Sequence, residues 1–143
     1  MMVQKTFEEL TTDELYDLMA LRTEIFVVEQ DCAYQELDGK DKAAVHYWIE
    51  EDGQIVSAIR VLVTEQPIAI GRVVTKQTAR GKGYSKRLIQ AAVDKYGHGP
   101  LYLSSQLYVE SFYGMFGFER VSEPYNEDNI PHVDMIREPV KTS

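Results

Sequence analysis

Arg80, Gly81, Lys82, Gly83, Tyr84, Ser85 and Lys86 form a short basic loop that carries two glycines. An apolar run, Ile68 to Thr75, precedes it, and Ser85, Leu88, Ile89, Ala92 and Tyr96 follow at helical spacing. The pattern is that of a strand, a loop and an amphipathic helix. The first turn of such a helix leaves backbone N–H groups without intrahelical partners, and the macrodipole favours negative charge there. Glycine lets a phosphate come close to the backbone, so phosphate or pyrophosphate is the ligand that suits this arrangement. A plain strand-to-helix connection fits the glycines alone. The cations Lys82, Lys86 and Arg87 at the positive end of a helix favour a bound anion over a bare connection.

Other residues offer chemistry with less to direct it. Phe112, Tyr113, Phe116 and Phe118 make an aromatic cluster whose spacing alone predicts packing. His132 and Asp134 lie at period two on a predicted strand, where a histidine bonded to a neighbour is as well supported as a proton acceptor. Asp31, Glu36 and Asp38 stand in an irregular stretch, where they suit solvation better than capture of an amine. Arg22 interrupts the apolar stripe of Leu15, Leu18, Met19, Ile25 and Phe26. It is expected to snorkel at the stripe's edge; the alternative is a buried guanidinium that holds a carboxylate. Cys32, the single cysteine, is expected to pack as a small apolar residue rather than act as a thiol. One cysteine excludes an intrachain disulfide and a cysteine-based metal cluster.

The elements that must position these groups follow from periodicity and turn chemistry. Val3, Lys5 and Phe7 predict a short strand, and Thr11 with Glu14 has the spacing of a capping box that opens a helix. Asp31 to Ala43 shows neither period. Val45 to Glu50 and Gln54 to Glu65 read as strands joined at Asp52-Gly53, and Ile68 to Thr75 follows after Pro67. Gly97 to Pro100 ends the helix after the basic loop, and Leu101 to Ser104 returns as a strand parallel to Ile68–Thr75. Leu107 to Phe116 predicts a short helix closed by Gly117. Phe118 to Tyr125 and Ile130 to Arg137 finish as two strands around the turn at residues 126–129. With 143 residues, 44% hydrophobic and 27% charged, one α+β domain is expected. A net charge of −8 argues against nucleic acid and anionic membrane as partners. The absence of a signal-like or spanning apolar run gives a cytoplasmic setting as the expectation.

Arg80-Gly81-Lys82-Gly83-Tyr84-Ser85 resembles the Arg/Gln-x-x-Gly-x-Gly/Ala signature of the GNAT superfamily, the Gcn5-related N-acetyltransferases. Phe112-Tyr113-Gly114-Met115-Phe116-Gly117-Phe118 resembles its second signature, Phe-Tyr-x-x-x-Gly-Phe. Arg22 to Gln30, Cys32 to Gly39 and Glu123 to Met135 resemble the ElaA-like branch. The likeness extends over nearly the whole chain. It departs at Ser85, where the signature ends in Gly or Ala, and at Gln106, where many relatives have asparagine. A serine there is small and able to donate to phosphate.

The resemblance implies a mixed, mostly antiparallel twisted sheet with helices on both faces and a V-shaped splay between the fourth and fifth strands. It implies acetyl-CoA as co-substrate, no metal, and transfer of an acetyl group to a primary amine of a small molecule or peptide. The edge of Val73, Val74 and Thr75 would pair with the pantetheine amides, and an N–H near Val74 would serve the oxyanion. Backbone N–H groups of Gly81, Lys82, Gly83, Tyr84 and Ser85 would cradle the pyrophosphate, with charge from Arg80, Lys82 and Lys86. Tyr113 would be the proton donor to the leaving thiolate, since a phenol is protonated at neutral pH. The base stays open among Glu29, Glu36, Ser104, Asp128, His132, Asp134 and water. A CoA-binding sensor or interaction module with little catalysis is the alternative, and a homodimer is compatible with either. A nucleotide-binding phosphate loop fits less well, because the Gly-Lys-Ser/Thr ending that would hold magnesium is missing.

Overall fold

The computed structural model describes residues 1–30 and 36–139. The expectations for Asp31 and Cys32 fall outside the described residues. Eight strands form one sheet in the order β1-β2-β3-β4-β5-β8-β6, with β7 also paired to β8. β1 (Met2–Thr6), β2 (Val45–Glu51), β3 (Gln54–Leu62) and β4 (Ile68–Thr75) make an antiparallel meander. Asp52 and Gly53 both have positive φ, the geometry of a two-residue hairpin turn. β3 stops at Leu62 rather than Glu65, because the Glu65 N–H bonds back to the Leu62 carbonyl at 3.3 Å and turns the chain.

β5 (Leu101–Gln106) lies parallel to β4, but the pairing covers only Ile68 with Leu101 and Ala69 with Tyr102. Beyond it β4 stays with β3 as far as Thr75 opposite Ser57. β5 meanwhile follows β8 (Ile130–Arg137) to Gln106 opposite His132. A bulge in β4, where Arg72 has φ 49°, bends the strand inside this divergence. The two half-sheets therefore part, giving the expected splay. The expected strand from Phe118 to Tyr125 is broken into β6 (Glu119–Arg120) and β7 (Tyr125–Glu127). At the break the Asp134 N–H donates to the Ser122 hydroxyl at 2.9 Å, so a side chain takes the place of a ladder carbonyl.

Helices cover both faces. α1 (Thr12–Arg22) opens with the expected capping box: the Glu14 N–H donates to Thr11 Oγ1 at 3.1 Å, and the Thr11 N–H to Glu14 Oε1 at 2.9 Å. It runs on as a π-helical segment, Thr23–Glu29, and Leu18, Leu21 and Ile25 pack on Trp48, Ile55, Ala58 and Val74. α2 (Tyr84–Tyr96) buries Leu88, Ile89 and Ala92 on the other face, against Ile59, Val61, Leu101, Leu103, Val133 and Met135. Tyr113 and Phe118 join that second core. The predicted helix at 107–116 is a 3-10 turn, Leu107–Val109, followed by α3 (Glu110–Gly114). Gly117 closes it with φ 94°, a conformation that side chains disfavour. Among the described residues no helix is long and apolar enough to cross a membrane.

Candidate active site

The splay opens into a cleft of about 1000 Å³. Val73, Val74 and Thr75 line it from β4, Arg80, Gly81, Gly83, Tyr84, Ser85 and Lys86 from the loop and helix start, and Tyr113 from α3. Of the residues singled out for the donor side, Lys82 is not on the lining. Its Nζ sits 3.0 Å from the Glu51 carboxylate, which also accepts from the Tyr84 hydroxyl. Both side chains thus run toward the β2–β3 hairpin, because Glu51 offers a carboxylate within reach.

The start of α2 has no side-chain cap and no acid in its first turn. Its first backbone bond runs from the Arg87 N–H to the Gly83 carbonyl at 3.1 Å, which leaves the N–H groups ahead of it without a helical acceptor. Gly81 and Gly83 have φ 83° and 77°, and a Cβ at either would meet no heavy atom within 4 Å. The cradle is therefore open and electropositive, as a pyrophosphate requires.

Ser85 departs from the sequence expectation in a definite way. The buried Ser57 hydroxyl donates to the Val74 carbonyl at 3.1 Å, so it accepts from Thr75 Oγ1 at 2.8 Å. Thr75 in turn accepts from Ser85 Oγ at 2.7 Å. Each hydroxyl has one proton, and the chain Ser85–Thr75–Ser57–Val74 uses all of them. The Ser85 hydroxyl ties the helix start to β4 instead of donating to a phosphate. Arg80 is also engaged, with Nε donating to the Thr75 carbonyl at 3.2 Å and Nη2 to Glu29 at 2.6 Å.

Tyr113 is buried, with its ring edge-on to Phe112 at 5.2 Å and to Phe118 at 6.3 Å. Burial, with Tyr108 nearby, pushes its phenol up from the ordinary range. The ring packs as the aromatic spacing predicted, while the residue still reaches the cleft wall. No described residue hydrogen-bonds to its hydroxyl.

The opposite side of the cleft is built on a buried ion network that the sequence reading did not favour. Arg22 is 2% exposed and does not snorkel. Its Nε donates to Glu36, and its two terminal nitrogens donate to Asp41 at 2.9 and 3.2 Å. Arg60 binds Asp38 at 2.6 Å and Asp41 at 3.2 Å, and Arg72 lies 2.7 Å from Glu36. Glu36 is therefore neither solvated nor free to take an amine, whereas Asp38 stays exposed on the cleft wall with its carboxylate held by Arg60. The cause is desolvation: Arg22, Arg60, Glu36 and Asp41, removed from water, must pair with one another, and the half-buried Arg72 and the exposed Asp38 join them at the edge. The signal available in the sequence was the arginine in an apolar stripe. His46 completes the network, donating from Nε2 to the Asp41 carbonyl at 3.0 Å, and burial holds its pKa below the ordinary imidazole range.

The remaining acid–base candidates are also sorted. Glu29 is held by Arg80, and Glu36 lies under Arg22 and Arg72, off the cleft wall. Asp134 is likewise off the wall and accepts from the hydroxyls of Tyr102 and Tyr125, each at 2.7 Å. Ser104 Oγ, on the wall, donates to Tyr125 Oη at 2.6 Å, because that phenol's own proton goes to Asp134. Asp128 and His132 line the cleft. Gln106 lines it as well and bridges to Gln30 at 3.3 Å.

Comparison with known proteins turns this geometry into an assignment. A family model described as an acetyltransferase (GNAT) domain matches residues 9–139. The chain belongs to the GNAT family. It is an acyltransferase of the ElaA-like branch: protein ElaA of Escherichia coli K12 is 36% identical, over 93% of each chain. UPF0039 protein Rv2851c of Mycobacterium tuberculosis is 41% identical, over 91% of this chain and 88% of its own length. Two solved structures agree throughout. An acyl-CoA N-acyltransferase from Pseudomonas aeruginosa superposes with a TM-score of 0.88 at 43% identity, covering 96% of this chain and 99% of that one. Escherichia coli ElaA superposes at 0.90 and 34%, with the same coverage. The parted strands, the uncapped α2 and the helices on both faces are thus a GNAT architecture.

Proposed function

We propose that this GNAT protein uses acetyl-CoA as donor and transfers the acetyl group to a primary amine by direct attack. The observation that carries the reading is the parting of β4 and β5 after Ala69, with an uncapped helix start on one side and Tyr113 on the wall. The donor class is supported by the solved relative described as an acyl-CoA N-acyltransferase.

In this reading the pyrophosphate lies on the N–H groups of Gly81 to Ser85, and the open edge at Val73 and Val74 receives the pantetheine amides. The Thr75 carbonyl already accepts from Arg80, so the pairing centres one residue earlier. Lys86 supplies charge on the wall; Lys82 acts at longer range, from its pair with Glu51. A backbone N–H near Val74 holds the oxyanion. Tyr113, kept protonated by burial, hydrogen-bonds to the sulfur and hands it a proton as the C–S bond breaks.

The test is release of free CoA thiol from acetyl-CoA, with ethanolamine, putrescine and a lysine-containing peptide as acceptors, beside calorimetry of CoA binding. Amine-dependent thiol release is the expected result. Binding without release from any amine would leave a CoA-binding module.

A further inference from the structure

We infer that His132 is the general base that takes the proton from the attacking amine, with the Glu127 carboxylate beside it to hold the incoming ammonium. The inference rests on the amine-acetylating function proposed above.

The alternation of β5 and β8 decides which groups can meet the acceptor. Leu101 and Leu103 of β5, and Val133 and Met135 of β8, are buried in the core shared with α2. Tyr102, Ser104 and Gln106, with His132 and Asp134, therefore project from the face that carries α1. Tyr113 belongs to the α2-side core, so it and His132 border the splay from opposite faces. This suits a thioester threaded through the splay, with its leaving sulfur toward one face and its attacked carbon open to the other.

The imidazole is fixed in the tautomer a base requires. His132 Nδ1 lies 2.7 Å from the Ile130 carbonyl, and a carbonyl only accepts. Nδ1 therefore carries the hydrogen, and in the neutral ring Nε2 carries the lone pair. Nε2 lies 3.6 Å from Glu127 Oε2, and the ring stacks on Tyr125 at 6.2 Å. An ammonium seated between Nε2 and Glu127 can donate one N–H to each.

Among the candidates, only histidine belongs to a residue type that titrates between pH 5 and 8. A carboxylate, with an ordinary pKa of about 4, is a poorer acceptor from an ammonium near 10 than an imidazole at about 6.5.

The step balances. The ammonium gives one proton to Nε2, and its nitrogen bonds the thioester carbon, whose C=O electrons move to oxygen. The oxyanion collapses, the C–S bond breaks, and the thiolate takes the Tyr113 proton. A second nitrogen proton, lost as the amide forms, restores Tyr113 through water, and His132 releases its proton to solvent. One amide, one CoA thiol and one proton result.

The other titratable groups on this side are Tyr125 of β7, which stacks on the ring, Asp134 two residues along its own strand and bonded to Tyr102 of β5, and Asp128 of the turn, on the cleft wall. Glu29 stands on the π-helical segment that Gln30 joins to Gln106. The experiment is the pH profile of kcat/KM for the fastest amine among ethanolamine, putrescine and a lysine-containing peptide. It compares the wild type, His132→Gln and Glu127→Gln. His132→Gln is expected to lose roughly 10²–10⁴-fold and the ionisation on the acidic limb, with CoA affinity unchanged. Glu127→Gln is expected to raise KM for the amine and to leave CoA affinity unchanged, because it removes the carboxylate that holds the incoming ammonium. A His132→Gln enzyme with wild-type rate and limb would overturn the inference while leaving the acetyltransferase reading intact. A wild type that binds CoA but acetylates no amine would overturn both.

Discussion

Arg22 shows how much of this protein is decided by single side chains. At 2% exposure its charge is tolerable only because Glu36 and Asp41 are within hydrogen-bond reach. Removing one member of such a group is costlier than the group is worth, since the others remain buried and unpaired. Arg22→Ala is therefore predicted to lower stability by about 3–5 kcal/mol. Urea denaturation measures it, and a loss under 1 kcal/mol would show that water solvates the carboxylates. The sequence placed Arg22 correctly in the helical stripe but could not identify its partners, which come from residues 36 and 41. That stretch has no period, and only tertiary structure folds it against the helix.

At the scale of elements, the donor side depends on how α2 begins. Gly83 is the N-cap with φ 77°, so Gly83→Ala strains the backbone at the point where the N–H groups must face an anion. About 1 kcal/mol of stability should be lost, together with CoA affinity in calorimetry; unchanged affinity would remove the cradle from the binding site. Ser85→Asp places an anion on the same helix start and is predicted to weaken CoA roughly tenfold. Equal affinity would put the phosphates elsewhere.

The strand, glycine loop and helix start were legible in the sequence because their determinants are local: two glycines, a run of cations and an apolar periodicity within about 30 residues. The hydroxyl chain Ser85–Thr75–Ser57 was not legible, since it joins a helix start to two strands. The outlying strands show the same limit. Phe118 to Tyr125 has a strand's composition, yet the Ser122 hydroxyl bonds the Asp134 N–H and divides it. The proposed acceptor side draws on β5, β7 and β8, so the position of His132 beside Glu127 emerges only with the register.

For the whole molecule, the ion network makes stability depend on acid. Hydrogen bonds from Arg60 hold the Asp38 carboxyl well below the ordinary range. Burial alone would raise Asp41, but the bonds from Arg22 and Arg60 outweigh it and its pKa is lowered too. A carboxyl depressed in the folded state contributes stability that is present above its unfolded pKa, about 3.9. That contribution is lost as pH falls from there through the folded value. Stability in urea is thus predicted to fall as pH drops below about 4 and to keep falling through the more acid range, with a smaller drop for Asp38→Asn than for the wild type. A parallel loss in both proteins would mean that Asp38 is not part of the acid response.

In the proposed reaction a parted sheet brings a phosphate cradle, an open strand edge and a protonated phenol to one thioester. Steady-state thiol release by Tyr113→Phe, beside calorimetric CoA binding, tests this most directly. Loss of the hydroxyl alone is predicted to lower kcat roughly 10²–10⁴-fold and to leave CoA affinity unchanged. A variant that turns over at the wild-type rate would contradict the account.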